Sequence, residues 1–308
     1  ANSLSFQNMK DPQKEFPPIR TLGTIGWIAS GILVGSSFFT GGLYQLSWPA
    51  FLGGSPPPSE WNSIALTSKT FEIGAIASFA LGLYAFTLPH TPPKLKGKTV
   101  SAGEILGLKA FRLMKDKSFA VFIICSFLTC IPLSFYFQSA NGFLKEMGVA
   151  NSEGVMTLGQ VSEIFFLLLV PYFFRKLGVK NMLMIGMCFW VFRYILFANA
   201  DASTHALLYL GVIFHGICYD FFFVTGQLYV DKTAPEDIRS SAQGFIAFIT
   251  LGLGMFVGGE LNGWWNSKQK LATGMNWEAV WYFPAIMAAV VLFIFFFMFR
   301  NPTSTKEI

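Results

Sequence analysis

Eight runs of about twenty apolar residues dominate the chain, and a helix needs roughly that many to cross a bilayer. Their approximate limits are 18–41, 69–89, 118–141, 154–174, 180–199, 206–230, 242–264 and 278–299. The pattern predicts an all-α membrane protein. Composition agrees: 53% of the residues are hydrophobic, 35 of them Phe, and only 13% are charged, against about a quarter in soluble domains. A soluble core could not hide this much apolar surface, so part of the solvent is lipid.

Several functional classes fall away. The net charge of +5 is modest, and no basic cluster forms a solvated face outside one linker, which argues against nucleic acid as a partner. The four cysteines, Cys125, Cys130, Cys188 and Cys218, lie inside apolar runs without a CxxC spacing. They read as small buried hydrophobes, not as disulfides or metal ligands. No HExxH, GxSxG or Walker loop is present. The three histidines, His90, His205 and His215, are scattered. The expectation is a protein that is not an enzyme and carries no cofactor or metal. No signal peptide is visible.

Lys and Arg alternate between loops. One set of connections holds Lys10, Lys14, the linker cluster from Lys94 to Lys117, Arg175, Lys176, Lys180, Lys232, Arg239, Arg300 and Lys306. The other holds only Lys69, Lys145, Lys268 and Lys270. The positive-inside rule then sets both termini in the cytoplasm. In the linker 90–117, Ser101-x-x-Glu104 reads as a capping box. Ile105, Leu108, Phe111 and Met114 give the following segment an apolar side. It predicts an amphipathic helix on the inner membrane face, with a solvated connector as the alternative. The outer loop 42–67 reads as irregular, with Trp48 and Trp61 near the interface. Gly31-x-x-x-Gly35 and Gly254-x-x-x-Gly258 predict close helix contacts.

Ionisable groups at membrane depth are rare and usually face a cavity or a partner. Glu163 lies 12 residues before Arg175, and Asp220 lies 11 before Asp231. At 1.5 Å per residue both carboxylates sit roughly 16–18 Å from a charged turn, near mid-bilayer. Two acids at one depth suit a proton-coupled cavity. A structural pair, each acid capped by a hydroxyl or amide, is the blander reading. Gln160 shares a face with Glu163, and His215 with Tyr219, but Asp220 points about 100° from Tyr219. Arg20, Thr24 and Trp27 follow at i, i+4 and i+7 from a start at Pro17 and Pro18. Arg20 could equally sit at the inner interface. Arg193 and Glu260 read as lying nearer the outer ends, as an interface or gate pair.

The stretches EFPPIRTLGTIG (15–26), FTLPHTP (86–92), LGLKAFRLMK (106–115), GQVSE (159–163), RKLGVKN (175–181), YDFFFVTG (219–226) and IRSSAQG (238–244) resemble the nucleoside:proton symporter family of the major facilitator superfamily. The resemblance covers almost the whole chain. It implies a helix bundle in which the eight spans are the fifth to twelfth of twelve, on an N-terminally incomplete chain. Residues 1–89 would end the N-terminal half, 90–117 would be the inter-half linker, and 118–308 the C-terminal six-helix half.

The resemblance also implies a substrate pocket of Arg20, Thr24, Trp27, Gln160, Glu163, His215, Tyr219 and Asp220. Ser134 and Phe137 stand where relatives have amides on the seventh span, with Gln138 one step off, and the three are further candidates for substrate contact. The His215 position is commonly Tyr in relatives. The implied function is proton-coupled nucleoside uptake across the bacterial inner membrane by alternating access, with Asp220 or Glu163 carrying the proton and the protein acting as a monomer. A sugar or another polar metabolite as cargo, or a transport-inactive sensor, are the alternatives.

Overall fold

The computed structural model describes residues 2–48, 55, 58, 60–64, 67–91, 108–149, 152–272 and 274–300. Helix α1 spans Asn2–Asn8 and α2 spans Pro12–Gly35. The latter starts earlier than its prolines suggest. Asp11 caps it, accepting from Lys14 N at 3.4 Å, and Glu15 Oε1 accepts from Asp11 N at 2.6 Å. Pro17 and Pro18 therefore lie inside the helix. A side-chain oxygen before the first turn satisfies an orphan N–H that Phe16 could not.

The same helix ends at Gly35, short of the expected limit of 41. Strands β1 (Ser37–Thr40) and β2 (Leu43–Leu46) follow as an antiparallel hairpin with Phe39 opposite Tyr44. Gly41 and Gly42 both have positive φ, 61° and 82°, as a two-residue hairpin turn demands. The loop 42–67 thus begins within a hairpin, and the Trp61 ring sits 5.7 Å from the Phe38 ring. Helix α3 spans Lys69–Ala85 and has no buried residue.

Residues 101–107 of the expected linker helix lie outside the described residues. The described end is a 3-10 helix, Leu108–Lys115. It packs on the bundle: Ala110 is buried, Leu113 and Met114 touch the core, and Phe111 meets Phe245 at 4.6 Å.

Helix α4, Lys117–Glu146, is capped by Asp116, which accepts from Phe119 N at 2.8 Å. Next comes one helical run, Ser152–Ala198, broken at Gly178 with φ 72° and ψ 172°. That backbone suits only glycine comfortably. The run folds back there into α5 (152–177) and α6 (179–198). Glu163 and Arg193 both reach His215, at 3.9 and 3.2 Å, although a straight helix would hold them about 45 Å apart. Lys180, just past the turn, donates to Phe296 O and Phe299 O at 2.8 and 2.7 Å. This ties the turn to the end of the last helix, whose final carbonyls lack helical partners.

Helix α7, His205–Thr233, contains a π-helical turn at Asp220–Val224. Helix α8, Arg239–Lys268, contains another at Phe248–Gly254. Strands β3 (Lys270–Leu271) and β4 (Gly274–Met275) lead to α9, Trp277–Met298. Among the described residues five helical runs are long and apolar enough to cross a membrane, the 45-residue run Gly154–Ala198 counting once. The chain is mostly helical.

Two apolar clusters hold the bundle. The larger joins α4, α6, α7, α8 and α9 around Trp190, Trp281, Phe143 and Phe197. The smaller packs Phe6 and Phe16 against Leu167, Val170, Phe174, Ile217 and Phe221. It fixes α2 across α5 and α7. Of the two glycine pairs only the second makes a close contact. A Cβ at Gly254 would meet Cys130 Cβ at 2.7 Å, and one at Gly258 would meet Ser134 Cβ at 2.7 Å. At Gly35 a Cβ would meet nothing, and at Gly31 only Thr157 Cγ2 at 4.0 Å.

Candidate functional site

Four helices meet around a cavity lined by Arg20, Gly23, Thr24 and Trp27 of α2, Phe137 of α4, Gln160 and Glu163 of α5, and His215 and Tyr219 of α7. The space open to water-sized spheres there is about 70 Å³. The crossing of α5 and α7 sets its geometry. A Cβ at Gly216 would fall 2.5 Å from Glu163 N, and one at Gly159 would fall 3.0 Å from His215 Cβ. Backbone therefore touches backbone, which brings the side chains of Glu163 and His215 onto one wall.

Glu163 is the best-connected group. Thr24 Oγ1 donates to its Oε1 at 2.7 Å, and Arg20 Nη2 lies 3.7 Å from the same oxygen. Its Oε2 faces His215 Nε2 at 3.9 Å. The acid is buried, so these contacts replace water that a charge would otherwise lose. The Arg20 guanidinium also stands 5.9 Å from the Tyr219 ring centre, within cation–π range. Gln160 is buried beside this group, while Trp27 is 63% exposed at the rim.

His215 is held by rings. Tyr136 stacks at 5.2 Å and 21°, Tyr219 lies at 5.4 Å and 32°, and Phe137 meets it edge-on at 6.1 Å.

Asp220 stands apart. It is fully buried, neither carboxylate oxygen has a hydrogen-bond partner among the described residues, and it does not line the cavity. It lies within electrostatic range of Glu163 and Arg20. The expectation of two acids on one chamber wall is corrected: Glu163 is on the wall and Asp220 is behind it. The cause is the 100° step that separates Asp220 from Tyr219 on the helix. The π-helical turn opens at Asp220. Such turns occur often at functional positions, and nothing in the apolar pattern announces this one.

Two of the seventh-span candidates are also redirected. Gln138 Nε2 donates to Ser134 Oγ at 3.1 Å, Asn262 Nδ2 donates to Gln138 Oε1 at 2.8 Å, and Ser139 Oγ donates to Asn262 Oδ1 at 3.1 Å. Asn266 Nδ2 donates to Ser139 Oγ at 3.0 Å. This chain joins α4 to α8, so Ser134 and Gln138 belong to a helix–helix seam and only Phe137 reaches the cavity.

The Arg193–Glu260 pair does not form. Glu260 is exposed, whereas Arg193 is 1% exposed beside His215. The depth ruler would have found it. Arg193 lies 13 residues past Lys180, about 20 Å along a helix, the same depth as the two acids. Among the described residues no cluster of three His, Cys, Asp or Glu side chains could hold a metal ion.

Comparison with known proteins gives one consistent result. The sequence pattern of the family described as "Nucleoside H+ symporter" matches residues 1–304. The putative nucleoside transporter YegT of Escherichia coli K12 is 42% identical over 309 residues, covering 97% of this chain and 68% of that protein. The nucleoside permease NupG of the same organism is 31% identical, over 100% and 72%. Crystal structures of the nucleoside transporter NupG, one of them of a mutant, superpose with TM-scores of 0.73 and 0.68 at 31% and 30% identity. The first covers 97% of this chain and 72% of that one.

Proposed function

The chain belongs to the nucleoside H+ symporter family, and from that premise we propose that the cavity between α2, α4, α5 and α7 is where its nucleoside binds and where the proton is felt. The protein is a multi-pass membrane transporter with bacterial relatives, not an enzyme, and its cargo is nucleosides and protons. Its fold is that of NupG, a major-facilitator bundle. The finer layout is our reading. The eight apolar segments stand for the fifth to twelfth of twelve spans, with 1–89 in the first half, 90–117 as linker and 118–308 as the second half. A monomer sits in the bacterial inner membrane with both ends cytoplasmic, as the Lys and Arg asymmetry favours.

The observation that carries the binding proposal is the company Glu163 keeps. A nucleoside offers a flat base and ribose hydroxyls. The Glu163 carboxylate and the Gln160 amide can accept from hydroxyls, and Arg20 and Gln160 can donate to a base carbonyl. Trp27, Phe137 and Tyr219 supply faces for the base. These groups line one cavity across helices from both proposed halves, so rocking of the halves would open it alternately to each side. Asp220 suits the proton. Among the described residues a negative charge there finds no hydrogen bond to offset burial, and a proton removes that cost. Losing or gaining it shifts the charge felt by Arg20 and Glu163.

Radiolabelled uridine uptake, with and without a protonophore, tests the proposal. Gradient-dependent uptake that Glu163→Gln and Asp220→Asn each impair supports it. Uptake indifferent to the gradient, or unchanged in both variants, refutes it. With Ser134 and Gln138 turned to α8, the α4 wall offers an aromatic face and no amide. Competition by a panel of nucleosides, bases and sugars reads the resulting preference.

A further inference from the structure

We propose that Arg193 is a positioning residue: it holds His215 with its ring proton on Nε2, so that the cavity presents an N–H donor beside the Glu163 acceptor. The inference rests on the cavity being the substrate site, but the ring state can be measured without transport. Arg193 Nη1 lies 3.2 Å from His215 Nδ1. A guanidinium carries only N–H donors and stays charged. The contact is a hydrogen bond only if Nδ1 accepts, which leaves the proton of the neutral ring on Nε2.

The rest of the environment agrees. The Arg193 Cζ lies 3.2 Å from the Tyr136 ring centre and 5.8 Å from that of Phe197. The cation is therefore held against aromatic faces. Among the described residues no carboxylate lies within ion-pair distance of it, and its Nε and Nη2 have no partner. Among the described residues its one nitrogen contact is with His215 Nδ1, and the Tyr136 side chain lies against the same guanidinium. A second positive charge on that ring would face Arg193 directly and forfeit the hydrogen bond. Tyr136 stacks on both groups and keeps them in register.

The consequence lies in the cavity. His215 Nε2 and Glu163 Oε2 stand 3.9 Å apart, too far to bond each other. A hydroxyl oxygen about 2.8 Å from each fits between them, accepting from His215 and donating to Glu163. The opposite tautomer would present two acceptors there, and such a hydroxyl could satisfy only one. The pair thus reads one substrate group that both accepts and donates.

The test is nitrogen NMR on the full protein, labelled with 15N-histidine in detergent micelles. The chain has three histidines, and His215→Gln assigns the signal. We expect a neutral His215 ring with a protonated Nε2 and a bare Nδ1. Arg193→Met should shift it toward a mixture of tautomers, while Arg193→Lys, a donor without an acceptor, should preserve the Nε2 form. A protonated Nδ1 in the unaltered protein, or the same tautomer in Arg193→Met, overturns the inference. If the Met variant does not fold, the unaltered protein and the Lys variant still decide it.

In uptake assays Arg193→Met should raise the KM for uridine roughly fivefold to tenfold, the scale of one hydrogen bond. On a His215→Phe background it should add less than twofold. A full additional effect there would contradict action through His215. Failure of uridine to bind at all would refute the assignment of the cavity as substrate site and leave the tautomer result standing.

Discussion

Helices α5 and α7 each carry one buried carboxylate within an apolar stretch, and the bundle treats the two in opposite ways. Glu163 has a hydroxyl donor, a guanidinium and an imidazole around it and opens on the cavity. Among the described residues Asp220 has no hydrogen-bond partner, and it has no share of the cavity surface. Similar burial therefore does not mean equal role. A partnered acid at a cavity wall is built to meet a ligand. A buried acid without a hydrogen-bond donor is sensitive to its own charge, because a proton relieves the cost of burying it. The division of labour proposed for uptake follows from that difference.

The strongest way to break the comparison is to separate the helices. A side chain at Gly216 must overlap the backbone of α5, so Gly216→Val should cost about 3 kcal/mol or more of stability. A fall in detergent melting temperature with loss of uridine binding is the expected result. A variant as stable as the parent would show that the two helices do not cross so closely. Next in size, Glu163→Gln leaves Arg20 without its acid. Hydrogen bonds to charged groups are worth roughly 1.5–3 kcal/mol, so uridine affinity should fall about tenfold to a hundredfold, read by equilibrium binding.

Thr24→Val removes one donor to Glu163 and keeps the shape. Its effect on affinity should be smaller, about 1 kcal/mol or fivefold, in the same binding measurement. A loss as large as that of Glu163→Gln would mean Thr24 itself touches substrate.

The smallest effect belongs to a control acid outside the membrane. Asp201 accepts from the Ser203 hydroxyl at 2.6 Å and backbone N–H at 2.8 Å, and from the Thr204 hydroxyl and N–H. The Ser203 hydroxyl, then its N–H and the Thr204 hydroxyl, hold the acid below the usual carboxylate range. A lowered folded value means stability present above the unfolded value near 3.8 and lost as pH falls through the folded one. Asp201→Ala should therefore be slightly less stable than the parent at neutral pH, with the gap closing in strong acid. A gap that persists in strong acid would mean the loop is held by something other than this charge.

Much of this is legible in the sequence, and the failures have separate physical causes. The mostly helical fold and the fold-back near Gly178 follow from spacing along one chain, which a fixed rise per residue converts to distance. Azimuth between helices does not follow, because it is set by packing. So Ser134 and Gln138 read as near the substrate, when the close approach at Gly258 turns the α4 polar face toward α8, whereas the 100° step that takes Asp220 off the Tyr219 face is already in the sequence.

Arg193 was misplaced for a different reason. It lies toward the outer end of its apolar run but 13 residues from Lys180, and the second spacing is the one that matches its place beside His215. The hairpin after α2 was hidden because Phe and Leu serve a strand as well as a membrane helix. Only the paired glycines at 41 and 42, with their positive φ, decide between them.

The central claim is that Glu163 serves the nucleoside while Asp220 serves the proton. The most direct measurement compares uridine counterflow with uptake driven by an imposed pH gradient, in proteoliposomes of the full-length protein carrying Asp220→Asn. The account predicts that exchange of uridine across the membrane survives while the gradient no longer drives accumulation. Accumulation at the parent's level in that variant would contradict it.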